Sequence, residues 1–231
     1  MNILSDNSGI FLIDKPYQWT SFDVVGKMRS LLKAATGKKI KVGHAGTLDP
    51  LATGLMIVCV GKKTKNIQQY MQYDKEYIAT VNFSGSTASA DLEKPIEQQY
   101  EYSHLTYDLV KNTINKFTGQ LLQIPPAFSA KWVDGKRAYV YARKGTIPDL
   151  KPVPVTIEFI HLLEFNPPEC VFQIRCSKGT YIRSLVRDLG IALTGGAHLT
   201  ALKRTAIGPF NLTMAISVED FEKMLSKQIC N

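Results

Sequence analysis

Six successive residues, Leu55-Met56-Ile57-Val58-Cys59-Val60, are apolar without interruption. A short run of this kind reads as a buried strand. It sets a core element early in the chain and hangs on it the segment Gly43-His44-Ala45-Gly46-Thr47-Leu48-Asp49-Pro50-Leu51-Ala52-Thr53-Gly54. That segment holds one carboxylate, one imidazole and three glycines. Pro50 fixes its own φ and biases Asp49 away from the helical region. Asp49 is therefore expected to point in a defined direction, against a low-dielectric wall, which suits a carboxylate used for chemistry. An Asp-Pro pair in a glycine-rich loop usually only turns the chain, so these residues taken singly leave both readings open.

Other segments give a coarse map. Gly9-Ile10-Phe11-Leu12-Ile13 reads as a strand ended by Asp14-Lys15-Pro16. Thr20-Ser21-Phe22-Asp23 has the form of a capping box, followed by Val25, Met28 and Leu32 at helical spacing. Tyr77, Ala79, Val81 and Phe83 alternate with Thr80 and Asn82, as in a half-buried strand. On that periodicity alone Tyr77 is a core residue. Leu109, Val110, Ile114 and Phe117 space as a helix ending at Gly119. Val155, Ile157 and Phe159 alternate as a strand, and Cys170, Phe172, Ile174 and Cys176 line one face of the next. Ile182, Leu185, Val186 and Leu189 mark a helix after Gly179, and Ser217-Val218-Glu219-Asp220 opens a last short one. The residues from Gln123 to Pro154 read as a basic loop with five prolines, and long loops of this kind are often functional. Strands and helices mix without a βαβ repeat, so the expected fold is α+β around a mixed or mostly antiparallel sheet.

Charge narrows the partners. Lys and Arg number 28 against 20 Asp and Glu, a formal excess of eight, and the pI is near 9.2. This favours a polyanionic partner. Lys38, Lys39 and Lys41 form a basic lead-in to the Asp49 segment. Gly61-Lys62-Lys63-Thr64-Lys65 looks like part of a phosphate loop, but Met56 stands where the upstream glycine would be, which excludes a P-loop. Cys59, Cys170, Cys176 and Cys230 show no metal spacing and are expected to be buried thiols. No apolar stretch is long enough for a membrane span. The first residues, MNILSDNSGIFLIDKP, lack a basic leader, and a cytoplasmic location is expected.

Several ordered motifs carry a resemblance. They are Gly9 to Pro16 with Trp19-Thr20-Ser21-Phe22-Asp23; the Gly43 to Gly54 segment; Lys75-Glu76-Tyr77; Pro125-Pro126-Ala127-Phe128-Ser129-Ala130; Gly135-Lys136-Arg137-Ala138-Tyr139 with Tyr141-Ala142-Arg143-Lys144-Gly145; Cys176-Ser177-Lys178-Gly179-Thr180-Tyr181-Ile182-Arg183; and Gly196-Ala197-His198-Leu199 with Leu202-Lys203-Arg204-Thr205. Together they span almost the whole chain, which resembles the tRNA pseudouridine-55 synthases of the TruB family. The resemblance implies a pseudouridine synthase fold, a single catalytic domain over residues 1–231, and a C-terminal RNA-binding subdomain that is short or absent. It implies an isomerase that flips uridine 55 out of the T loop of tRNA, cleaves its glycosidic bond and rejoins C1′ to C5, with no cofactor and no metal. The residues are compatible with attack by Asp49 at C1′, attack at C6, or a glycal route. A non-catalytic tRNA-binding protein or RNA chaperone, or the same reaction on another RNA, is the alternative reading.

The same resemblance assigns roles. Asp49 is the catalytic carboxylate, Arg183 its charge partner, and Tyr77 the ring that stacks on the target base. His44 engages the T loop, Tyr181 orients Arg183 and Asp49, and Leu202 walls the pocket. Lys15, Lys131, Arg143, Lys178 and Arg204 are the expected phosphate contacts. The partner is the T arm of tRNA, and the enzyme is expected to be a monomer away from membranes. The chain departs from the family at Thr87-Ala88-Ser89-Ala90-Asp91, which keeps the last acid of a TDTxD segment and loses the first. It also departs at Ser84 and Lys94, where glycines are usual, and at Trp132, where a lysine often stands.

Overall fold

The computed structural model describes residues 7–129, 131–146 and 149–229. Cys230, Ala130 of the Pro-Pro motif and the first six residues lie outside them. The chain forms two compact units, Met1–Glu76 with Lys203–Asn231, and Tyr77–Leu202. In chain order the first elements are β1 (Gly9–Lys15), α1 (Ser21–Thr36), β2 (Val42–His44), β3 (Ala52–Val60), a 3-10 turn (Gly61–Asn66), α2 (Ile67–Met71) and β4 (Lys75–Asn82). Then come β5 (Gly85–Thr87), β6 (Ile96–Gln99), α3 (Tyr107–Asn115), β7 (Gly119–Gln123), β8 (Trp132–Val133), β9 (Lys136–Arg137) and α4 (Ala138–Ala142). The remainder is β10 (Val153–Asn166), β11 (Glu169–Cys176), α5 (Ile182–Leu193), β12 (His198–Ile207), β13 (Phe210–Asn211) and α6 (Val218–Ile229).

In the first unit the strand order is β1-β3-β12, with β2 also on β3. β1 runs antiparallel to β3 from Gly9↔Val60 to Lys15↔Gly54, and β2 pairs with it at Val42↔Val60 and His44↔Val58. β3 is thus central, and both its faces are covered. Met56, Val58 and Val60 join one apolar cluster with Val24, Met28 and Leu32 of α1 and Phe221 and Leu225 of α6. Leu55, Ile57 and Cys59 join a second, with Ala45, Tyr70 and Ile207. Two dry faces explain why its apolar run has no polar alternation. α1 starts with the capping box: Asp23 N–H donates to Thr20 Oγ1 at 3.1 Å and Thr20 N–H to Asp23 Oδ2 at 2.7 Å.

The second unit carries the order β12-β4-β11-β10-β7. β4 shows the alternation, with Tyr77, Ala79 and Val81 buried. The β10–β11 pair departs from strict alternation. Its register shifts between Ile157 and Phe159, so Ile160 takes the buried place that period two assigns to Phe159. The Phe159 ring stacks on His161 instead, 4.4 Å between centroids. Such a bulge turns over the side chains that follow it, and a second shift between Leu162 and Glu164 turns them again. The basic loop holds short elements that its composition hides. Trp132 pairs with Arg137 across Asp134-Gly135, both at positive φ, 45° and 77°. That is the Asp-Gly hairpin signal, on strands too short to show periodicity. Among the described residues no helix is long and apolar enough to cross a membrane.

Candidate active site

Lys15 is the last residue of β1, and its register opposite Gly54 brings it to the loop that carries Asp49. Its Nζ donates to the carbonyls of Pro16 at 2.9 Å, Trp19 at 2.5 Å and Pro50 at 3.1 Å. The side chain is fully buried, and its three protons are all given to carbonyls, which leaves none for a phosphate. Lys15 therefore braces the loop one residue past Asp49. Burial pushes its pKa down to about 8, with the charge of Asp49 opposing the fall and that of Arg204 adding to it.

Arg204, at the 203–207 end of β12, is buried too. Its Nε donates to the Leu55 carbonyl at 2.7 Å, while Nη1 and Nη2 reach the Thr47 and Gly46 carbonyls at 3.3 Å each. The guanidinium thus ties the loop to the strand that follows it. The approach of the two backbones needs a glycine at 54: its φ is 104°, and a Cβ would lie 2.3 Å from the Arg204 carbonyl oxygen. From the other side, Ser21 of α1 holds Leu48. Leu48 N–H donates to Ser21 Oγ at 2.8 Å, and that Oγ donates to the Leu48 carbonyl at 3.1 Å. The neighbours of Asp49 are therefore clamped on both sides, and the Asp49 carbonyl accepts from Ala52 N–H at 3.1 Å to close the turn. Asp49 itself is half-buried.

His44 ends β2 in the same unit. Burial holds its pKa below the usual imidazole value, with the Arg204 charge adding to the effect, so the ring is neutral near pH 7. Phe22, 75% exposed, sets its ring edge-on to His44, 5.7 Å between centroids.

The second unit holds Arg183, Tyr77, Tyr181 and Leu202. Arg183 lies on the buried face of α5 with Ile182, Leu185, Val186 and Leu189. A cation in the first turn opposes the helix dipole, and here it is answered locally. Its Nε is 3.6 Å from Asp91 Oδ2, and its Nη groups reach the carbonyls of Phe128 at 3.0 Å and Ser89 at 3.4 Å. Asp91 Oδ1 also accepts from Glu93 N–H at 3.0 Å. The start of α5 is pinned to the end of β7. Tyr181 N–H donates to Gln123 Oε1 at 2.8 Å, Gln123 Nε2 to the Tyr181 carbonyl at 3.1 Å, and Ser184 Oγ to the Ile124 carbonyl at 2.8 Å. Tyr77 is buried on β4, while Leu202 and Tyr181 are half-buried.

Of the seven site residues the sequence points to, the first unit holds Asp49, His44 and Lys15, and the second holds the other four. Of the expected phosphate cations, Lys178 and Arg143 are exposed, Lys131 is half-buried, and Lys15 and Arg204 lie in the interior. Three contributors have no role in the sequence reading: Asp91 beside Arg183, Ser21 on Leu48, and Phe22 against His44. The retained acid of the altered Thr87–Asp91 segment was the one available signal for Asp91. Among the described residues no group of three or more His, Cys, Asp or Glu could hold a metal ion.

Known proteins resemble this chain over most of its length. The family described as TruB family pseudouridylate synthase (N terminal domain) matches residues 30–182, and the tRNA pseudouridylate synthase B C-terminal domain matches residues 183–229. The tRNA pseudouridine synthase B of Phocaeicola vulgatus is 52% identical over 220 residues, 95% of this chain and 94% of that protein. The Flavobacterium johnsoniae protein of the same name is 44% identical over 218 residues, 94% of this chain and 95% of that one. Among solved structures, a chain of a Cbf5-Nop10-Gar1 complex superposes with a TM-score of 0.70 at 28% identity, covering 94% of this chain. A chain of an H/ACA RNP bound to a substrate RNA containing 2′-deoxyuridine gives a TM-score of 0.67 at 25% identity. This chain spans about half the length of each, 54%.

Proposed function

The chain belongs to the TruB family of pseudouridylate synthases, and on that footing we propose that it converts uridine 55 in the T loop of tRNA to pseudouridine. The N1–C1′ bond breaks and a C1′–C5 bond forms. C5 loses its proton, and N1 gains one. Nothing is added or removed overall, so the reaction is an isomerisation that requires no co-reactant.

The observation that carries the reading is the braced loop around Asp49. Serving as nucleophile or charge at the sugar or base requires a carboxylate held in one place. Ser21 fixes the residue before Asp49, and Lys15 fixes the carbonyl of the residue after it. Neither touches the RNA in this reading; both are positioning residues. The family resemblance supplies the remaining roles. The flipped uridine, taken out of its stack as base-modifying enzymes require, meets the Tyr77 ring. Arg183, which cannot lose its charge, is the charge partner of Asp49. Tyr181 orients that pair, Leu202 walls the pocket, and neutral His44 engages the T loop.

Pseudouridine-specific chemical mapping of an unmodified tRNA transcript, incubated with the protein without added metal or cofactor, tests the reading. One signal at position 55 is expected, lost in Asp49→Asn while the transcript still binds. No signal from the wild type, or turnover retained in Asp49→Asn, overturns it.

A further inference from the structure

We propose that the exposed lysines flanking β2, namely Lys38 and Lys39 with Lys41, and Lys62 with Lys63 after β3, form a surface that binds RNA phosphates outside the modified loop. The proposal rests on the RNA-modifying reading above. From Val24 to Tyr73 the chain has nine Lys or Arg and a single acid, Asp49. The rest of the chain is balanced, nineteen against nineteen. The whole formal excess of eight therefore lies in this stretch.

The fold brings the two lysine runs together. Val42 pairs with Val60, and Gly61 N–H donates to the Lys41 carbonyl at 2.8 Å. Ser8 Oγ donates to the Val60 carbonyl at 3.2 Å and accepts from Lys63 N–H at 3.3 Å, which holds the turn in place. The following helix sits close on β2: a Cβ on Gly43 would lie 2.8 Å from Ile67 Cδ1. All five lysines are exposed. Among the described residues none of them forms an ion pair, whereas Lys27 and Lys223, elsewhere in this unit, do. Five like charges with no ion pair among the described residues repel one another and raise the local potential, a field suited to a polyanion.

Continuity with the site selects RNA as that polyanion. Lys41 directly precedes β2, and β2 ends on His44. Three extended residues span about 10 Å. An RNA whose loop reaches His44 and Asp49 therefore continues over this surface, and its phosphates meet the lysine ammoniums as point charges.

The test is steady-state kinetics on an unmodified tRNA transcript across a salt series. The variant Lys39→Glu/Lys62→Glu is compared with wild type and with the charge-matched control Lys111→Glu/Lys116→Glu on and beside α3. For Lys39→Glu/Lys62→Glu, KM rises about tenfold at moderate salt, kcat at saturating RNA stays within about twofold, and the slope of log KM against log salt falls by about one to two. The control shifts KM by less than about twofold. An unchanged KM and slope overturns the proposal, and so does a control that shifts as far as the variant. If the wild type binds the transcript without turnover, the functional reading fails, and filter binding of the same variants still decides the lysine surface.

Discussion

Ser21 and Leu48 exchange two hydrogen bonds, N–H to Oγ at 2.8 Å and Oγ to carbonyl at 3.1 Å, and both residues are buried. One hydroxyl thus satisfies both backbone groups of the residue before Asp49. Ser21→Ala leaves that N–H and carbonyl buried without partners, at about 1–3 kcal/mol. Chemical denaturation is expected to show that loss. Turnover should fall mainly through kcat, because the loop that carries the carboxylate loosens while the RNA-binding residues remain. A variant with full stability and full kcat removes Ser21 from the positioning of Asp49.

Two glycines of the first unit should respond in opposite directions. Gly54 has positive φ, and a Cβ there meets the Arg204 backbone, so neither side can yield cheaply. Gly54→Ala is expected to lose about 2 kcal/mol or more. Gly26, within α1, has nothing within 4 Å of the added methyl, and Gly26→Ala should gain about 0.5–1 kcal/mol. Thermal melts of the two variants should bracket the wild type.

Lys15 gives a pH signature. In the fold its pKa is about 8, against an ordinary 10.5. Between those values the unfolded chain holds a proton that the folded chain has released. Stability from this group therefore rises with pH from about 8 to 10.5 and is flat below. Denaturant titrations at pH 7.5 to 10.5 should show the wild type gaining on Lys15→Met across that window. Parallel pH profiles of the two proteins count against a depressed Lys15.

Asp91 and Arg183 form a buried ion pair, with side chains 7% and 5% exposed. Removing Asp91 takes a carboxylate from beside a buried guanidinium, a loss of about 3–5 kcal/mol. Asp91→Ala is expected to unfold at clearly lower denaturant than wild type, and Asp91→Asn to recover part of that by accepting the Glu93 N–H. Equal stability of Asp91→Ala and wild type contradicts the pairing.

What could be read without a structure was local or periodic. The capping box at Thr20 and Asp23 needs residues three apart. The alternation along β4, the one-sided cysteines and aromatics of β11 and the spacing of Ile182 to Leu189 each lie within a single element. The family motifs likewise mark Asp49, Arg183 and Tyr77 by their immediate neighbours. The bulge at Ile157 to Phe159 has no such signal, because period two continues through the sequence while the backbone slips against its partner strand.

The sequence by itself determined the longer strands and helices, that the chain carries a large positive excess, and which carboxylate stands out. Only the tertiary structure decided which cations face inward. Lys15 and Arg204 read as phosphate contacts because they are cations at motif positions. The fold buries both, and Arg204 bonds to carbonyls 149 to 158 residues away. A carbonyl has no residue type, so no pattern in the sequence marks it as the partner of a lysine or an arginine. That pairing exists only once distant backbone segments have been brought within hydrogen-bond reach.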